Sequence, residues 1–135
     1  MFMHTAASMT TSLSSPNTMT DGSELLARLF AGVSDPTRLR ILLALLEREH
    51  NVSELVALVG TAQSRVSTHL QCLRWCGFVC SERRGKYVYY KVSDPRVRQL
   101  IQLAQDLVVQ HGAQLAACAV LRAEDQDKES HNESL

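Results

Sequence analysis

The sequence predicts a small, mainly α-helical domain carrying one β-hairpin, and three observations lead there. Between Ser23 and Val59, apolar residues recur at three- and four-residue steps in short segments broken by turn signals. From Phe78 to Val92 the period drops to two around a central Arg84-Gly85. From Pro95 a helical period returns and runs to about Arg122.

The chain has 135 residues, 45% hydrophobic and 21% charged, enough apolar material for one globular core. Residues 1–22 are rich in Ser, Thr and Met, hold one charged side chain, Asp21, and show no period; they are expected to be disordered. They lack the basic start and apolar run of a signal peptide. No stretch is long and apolar enough to span a bilayer, so the protein is expected to be cytoplasmic, with no membrane partner. In a reducing compartment its four cysteines read as free thiols or metal ligands rather than as a disulfide framework.

The first helix, Ser23 to Val33, places Leu25, Leu26, Leu29, Phe30 and Val33 on one side. Ser34-Asp35-Pro36-Thr37 then supplies an N-cap and a first-turn proline. The second helix, Pro36 to Arg48, turns Leu39, Leu42, Leu43 and Leu46 inward. A third runs from Val52 to Val59, and Gly60 makes the turn into a fourth.

In that fourth helix Val66, Leu70 and Leu73 form an apolar stripe. Gln63, Ser64, Ser67, Thr68, Gln71 and Arg74 lie opposite. Short hydrogen-bonding side chains near a helix N-terminus suit the base edges of a DNA major groove; the alternative is an ordinary solvated face. The segment after the helix favours DNA. Gly77 is placed to cap the helix, and Phe78 to Arg83 and Lys86 to Val92 form two strands. Val88, Tyr90 and Val92 are expected inward, Tyr87, Tyr89 and Lys91 outward. Arg83, Arg84 and Lys86 then gather at the hairpin tip, where phosphate is the natural partner. A helix-turn-helix followed by a basic hairpin is a winged helix.

The net charge of zero hides an uneven distribution. Residues 61–100 carry eight Lys and Arg against two Asp and Glu, whereas residues 123–135 carry five acids against Lys128. The local excess suits a nucleic-acid face, and residues 123–135 read as an acidic flexible tail.

Ser93-Asp94-Pro95 repeats the cap-plus-proline signal and opens the last helix. Val97, Ile101, Ala104, Val108, Leu115 and Cys118 follow one line along it, with His111 among them. So long a stripe exceeds what one small domain buries. A homodimer through the first and last helices is therefore expected, and a two-fold reader suits a palindromic operator. The competing possibility is a last helix folded back on its own core.

The runs SDPTRLRILLALL, SRVSTHLQCLRWCGFV and RRGKYVYYKVSD resemble, in order and spacing, the ArsR/SmtB family of metal-responsive winged-helix repressors. The resemblance covers residues 23–122, the expected DNA-binding and dimerisation domain. It implies a dimeric repressor that leaves its operator when an effector binds, and it implies no enzyme. No glycine-rich loop or nucleophile turn is present to build a catalytic pocket.

Family members place their sensing sites at different points of one scaffold. The cysteine motif at the start of the third helix has no counterpart in Glu49-His50-Asn51-Val52-Ser53-Glu54-Leu55. The zinc site of the last helices keeps only Asp94, its other positions being Arg96, Leu107 and Gln110.

There remains Cys72-Leu-Arg-Trp-Cys76, whose spacing puts both thiols on one helix face within reach of a single soft ion. This arrangement is similar to the cadmium- and lead-sensing branch of the family. That likeness implies Cys72 and Cys76 as metal ligands, with Cys118 of a partner subunit as the third. Cys80, just past the helix, competes for that place. Thiolates favour Cd(II), Pb(II), Hg(II) and As(III); the resemblance tips the choice to Cd(II) or Pb(II), with Hg(II) and As(III) next. Cys72 and Cys76 could instead be small packing residues, or respond to oxidants or persulfides. His69 and His111 read as packed histidines rather than ligands.

Overall fold

The computed structural model describes residues 22–118, 120 and 123–128. Of the segment 1–22 expected to be disordered, residues 1–21 lie outside them, as does the end of the acidic tail, while Gly22 begins the first helix. The chain divides into two compact units, Met1–Asp94 and Pro95–Leu135.

The first unit runs α1 (Gly22–Ala31), α2 (Pro36–Glu47), β1 (His50–Asn51), α3 (Val52–Val59), α4 (Gln63–Trp75), β2 (Val79–Arg84) and β3 (Tyr87–Val92). Asp35 caps α2 by accepting from the Arg38 amide at 3.0 Å, with Pro36 in the first turn. Asn51 caps α3 in a reciprocal box: its side chain accepts from the Glu54 amide at 2.9 Å, and the Glu54 carboxylate accepts from the Asn51 amide at 3.0 Å.

Gly77 takes the left-handed conformation that its position predicts, with φ 84°. The Phe78 amide donates to the Leu73 carbonyl at 2.9 Å and the Gly77 amide to Arg74 at 3.1 Å. That pair of bonds is the Schellman stop, and the side chains of Leu73 and Phe78 are both buried beside it.

The core consists of Ile41, Leu42, Leu45 and Leu46 from α2, Leu55 from α3, Val66, Leu70 and Leu73 from α4, and Phe78 and Val79 at the start of the hairpin. Here α2 departs from expectation. Ile41 and Leu45 are buried, whereas Leu39 and Leu43 are only partly so. The run from Leu39 to Leu46 is apolar on nearly every side, so its period does not fix a phase. The phase is set by α2 packing on α3, α4 and β3 together.

The hairpin turn also differs by one residue. Arg84 pairs with Tyr87, leaving Gly85-Lys86 as the two-residue loop, and Gly85 at its first position has φ 61°, the placement a type II′ turn requires. β3 lies in the middle of a three-stranded antiparallel sheet, order β1-β3-β2. β1, which nothing in the residue pattern announces, pairs His50 with Tyr90 and Asn51 with Tyr89. Val88, Tyr90 and Val92 are half-buried and Tyr87 and Lys91 exposed, as the alternation predicts; Tyr89 is half-buried too, because the Arg84 guanidinium lies 5.1 Å over its ring.

The second unit is built on α5 (Pro95–Ala117), shorter than the expected run to Arg122. The Cys118 amide donates back to Leu115 at 3.4 Å, a three-residue step that tightens the last turn. Arg122 lies outside the described residues, while residues 123–128 are helical. Val97 and Ile101 are buried near the start of α5, but Leu103, Leu107, Val108, Val109 and Leu115 are exposed. α1 has the same character, with Leu25, Leu26 and Phe30 exposed and no buried residue.

Candidate nucleic-acid interface and thiol pair

Burial of Val66, Leu70 and Leu73 fixes the rotation of α4, and Gln63, Ser64, Ser67, Thr68, Gln71 and Arg74 are consequently exposed. Ala62 stands at the N-cap without a side-chain hydrogen bond. The Thr68 hydroxyl donates to the Ser64 carbonyl at 2.9 Å, so its methyl and lone pairs are what it offers outward.

In the wing, Arg83 and Lys86 are exposed, with the Lys86 ammonium 5.6 Å from the Tyr87 ring centre. Arg84 is differently occupied. It donates to both carboxylate oxygens of Glu49, the Nη2–Oε2 bond at 2.9 Å, and to Glu82 at 2.9 Å. These hydrogen bonds raise the Arg84 pKa above its ordinary value, and the bond from Arg84 holds Glu49 below the usual carboxylate range. Of the three basic residues expected at the wing tip, Arg84 is thus bound to the sheet's outer corner.

Cys72, Cys76, Cys80 and Cys118 are all free and partly buried. Cys72 and Cys76 lie one turn apart at the end of α4, with the Cys76 amide donating to the Cys72 carbonyl at 3.0 Å. Burial pushes the Cys76 thiol above its ordinary pKa, and the neighbouring Cys72 adds to this while Arg38 opposes it. Cys80 sits on β2 opposite Lys91, and Cys118 follows α5 in the second unit. Among the described residues, no three His, Cys, Asp or Glu side chains gather into a metal-holding group within one chain. The structure therefore brings together the first two predicted ligands and not a third.

His69 precedes Cys72 by one turn on the same flank. Its Nε2 is 3.9 Å from the Asp35 carboxylate, and its Nδ1 is buried without a hydrogen-bond partner. Burial holds His69 below its ordinary pKa; Asp35 opposes this, and Arg38 and Arg65 add to it. The segment after α1 thus meets the end of α4, with Gly32 beside Cys76 and Asp35 beside His69. The residue pattern marked Asp35 only as a helix cap, and gave no sign that this turn meets the end of α4.

Among the described residues no helix is long and apolar enough to cross a membrane. Residues 35–81 match the family described as bacterial regulatory protein, arsR family. The chain is 41% identical over 102 residues to a probable mercury resistance operon repressor of Streptomyces lividans, covering 76% of this chain and 82% of that one. It is 44% identical over 81 residues to the transcriptional regulator CmtR of Mycobacterium bovis, covering 59% and 69%. In three dimensions it is similar to the solution structure of a homodimeric winged helix-turn-helix DNA-binding domain from Mycobacterium bovis, with TM-score 0.62 and 28% identity over 65% of this chain and 82% of that one. The relatives are transcriptional regulators and not enzymes. A helix-turn-helix with a hairpin wing, matched across most of the length of a mercury-resistance repressor, places this chain in the ArsR family of bacterial regulatory proteins.

Proposed function

We propose that this protein is a metal-responsive transcriptional repressor that binds a palindromic operator as a homodimer and releases it when a soft heavy-metal ion occupies Cys72 and Cys76. The observation that carries the reading is the position of the thiol pair on the DNA-reading helix itself. α4 enters the major groove with Gln63, Ser64, Ser67 and Thr68 toward base edges, while Arg74, Arg83 and Lys86 meet phosphates. Arg84 holds the wing that presents them.

The exposed apolar residues of α1 and α5 supply a dimer interface, in keeping with the homodimeric neighbour. A two-fold pair of reading helices then spans two half-sites, acting on DNA in the cytoplasm.

The donor set fits a soft ion. Two thiols one turn apart provide two sulfurs, and Cys118 of the partner subunit provides the third, with Cys80 as its rival. The bound ion supplies a cross-link between the end of α4 and the third thiolate. Cd(II) and Pb(II) are favoured, and the mercury-resistance relative keeps Hg(II) beside them, ahead of As(III). Coupling of about 1 to 3 kcal/mol per site suffices to release an operator.

The test is anaerobic titration of reduced protein with Cd(II), Pb(II), Hg(II) and As(III), following thiolate-to-metal ultraviolet absorption and operator affinity on the same samples. Absorption at one ion per subunit should accompany DNA release, and both should vanish in Cys72→Ser and Cys76→Ser. Normal metal-induced release by Cys72→Ser would overturn the assignment.

A further inference from the structure

Gly32 directly follows α1 and is buried. A methyl group placed on it would lie 2.8 Å from Cys76 Sγ, 3.2 Å from Cys76 Cβ and 3.2 Å from the Leu29 carbonyl oxygen. The Cys76 thiol thus fills the space that a side chain at position 32 would take. The same turn is fastened from its other side, because Arg38 donates through Nε to the Gly32 carbonyl at 2.9 Å and through Nη2 to the Ala31 carbonyl at 3.2 Å. Asp35, three residues on, stands 3.9 Å from His69. His69, Cys72 and Cys76 occur at i, i+3 and i+7, so they form a single flank of α4. Two attachments therefore join that flank to the turn after α1, His69 to Asp35 and Cys76 to Gly32.

We propose that Gly32 is a positioning residue for the thiol pair, and that the Cys76–Gly32 contact is the link by which occupation of Cys76 reaches the first helix. The inference rests on the sensor reading for its use, but the contact belongs to the metal-free chain. Sγ packs against Gly32, and Cys76 turning toward an ion shared with Cys72 would give up that contact. The turn then loses one of its two attachments to α4, and α1, whose Leu26 and Phe30 are about half exposed at 53% and 50%, is released to shift against its dimer partner. A bulkier residue at 32 reproduces this state without any ion.

The test is Gly32→Ala in the full chain, metal-free and anaerobic, with iodoacetamide as the thiol probe. Labelling of Cys76 relative to Cys72, read by peptide mass spectrometry, should rise about fivefold or more as the thiol loses its burial. Operator affinity should fall by about fivefold or more. Adding Cys76→Ala to Gly32→Ala should bring affinity back toward that of Cys76→Ala alone, since the 2.8 Å contact with Sγ is then gone and only the 3.2 Å approaches to the residue-76 Cβ and the Leu29 carbonyl oxygen remain. An unchanged labelling ratio, or an affinity loss that Cys76→Ala does not relieve, overturns the inference. If Gly32→Ala fails to fold, recovery of folding in the double variant supports the contact and continued unfolding overturns it. Failure of the sensor reading is seen separately: the parent protein then keeps its operator with every ion, while the Gly32→Ala series still decides the coupling.

Discussion

Arg84 and Glu49 hold each other across the outer corner of the sheet, guanidinium nitrogens on both carboxylate oxygens. The pair joins the wing tip to the segment between α2 and β1, and Glu82 and the Tyr89 ring complete the grip. Arg84 is already met by two carboxylates, so in the proposed reading Arg83 and Lys86 are the wing's phosphate contacts and Arg84 is its brace.

Arg83→Ala and Lys86→Ala should each weaken binding to operator and random DNA alike, and each should flatten the slope of log affinity against log salt by about 1. Arg84→Ala should change that slope much less while speeding amide exchange in β2 and β3. Binding titrations at several salt concentrations separate these outcomes, and an equal slope change for all three would deny Arg84 its bracing role.

In the proposed reading, base preference belongs to the exposed face of α4. Gln63→Ala should lose about 1 to 3 kcal/mol of discrimination at the base pair it reads, leaving affinity for random DNA nearly as before. Competition binding against single-base operator variants measures this directly.

Acid should weaken the fold through His69. Its folded pKa lies below the ordinary value of about 6.5, so near that pH the unfolded chain binds more protons than the folded one. The stability is complete above about pH 6.5 and is lost as pH falls toward the lowered folded value. Urea unfolding between pH 5 and 8, at fixed protomer concentration, should show this decline, and His69→Gln should reduce it.

The core makes a sharper demand. Phe78 is 2% exposed, and Phe78→Ala should cost about 3 to 5 kcal/mol, whereas Gln71→Ala on the exposed face should stay within about 0.5 kcal/mol. Urea midpoints supply the comparison.

Leu107 and Val108, 58% and 55% exposed on α5, should be covered in the proposed dimer. Leu107→Glu and Val108→Glu should move the sedimentation coefficient toward that of a monomer and lower operator affinity with it. A charged variant that remains fully dimeric would place the interface elsewhere.

The features legible in the residues were local ones. Gly77 announced its own cap because only a left-handed residue stops a helix that way before Phe78, and Asp35-Pro36 announced α2 in the same fashion. The phase of α2 was not legible, since a run apolar on nearly every side satisfies any partner. β1 was hidden by its two-residue length. Arg84 and Glu49, or Cys76 and Gly32, lie far apart in the chain, and only the packing that brings them together gives either partner its meaning. The thiol pair was visible from its spacing; its seat was not.

Asn51 has two duties, strand partner of Tyr89 and cap of α3, and a growing polypeptide can fulfil them only at different times. The cap needs only Glu54, three residues on. The strand must wait until β3 emerges, so for that interval His50 and Asn51 present an unpaired edge. Translation that stalls between α4 and β3 should therefore leave a nascent chain that chaperones recognise, and synonymous changes that slow that stretch should lower the yield of soluble protein while leaving the finished molecule the same.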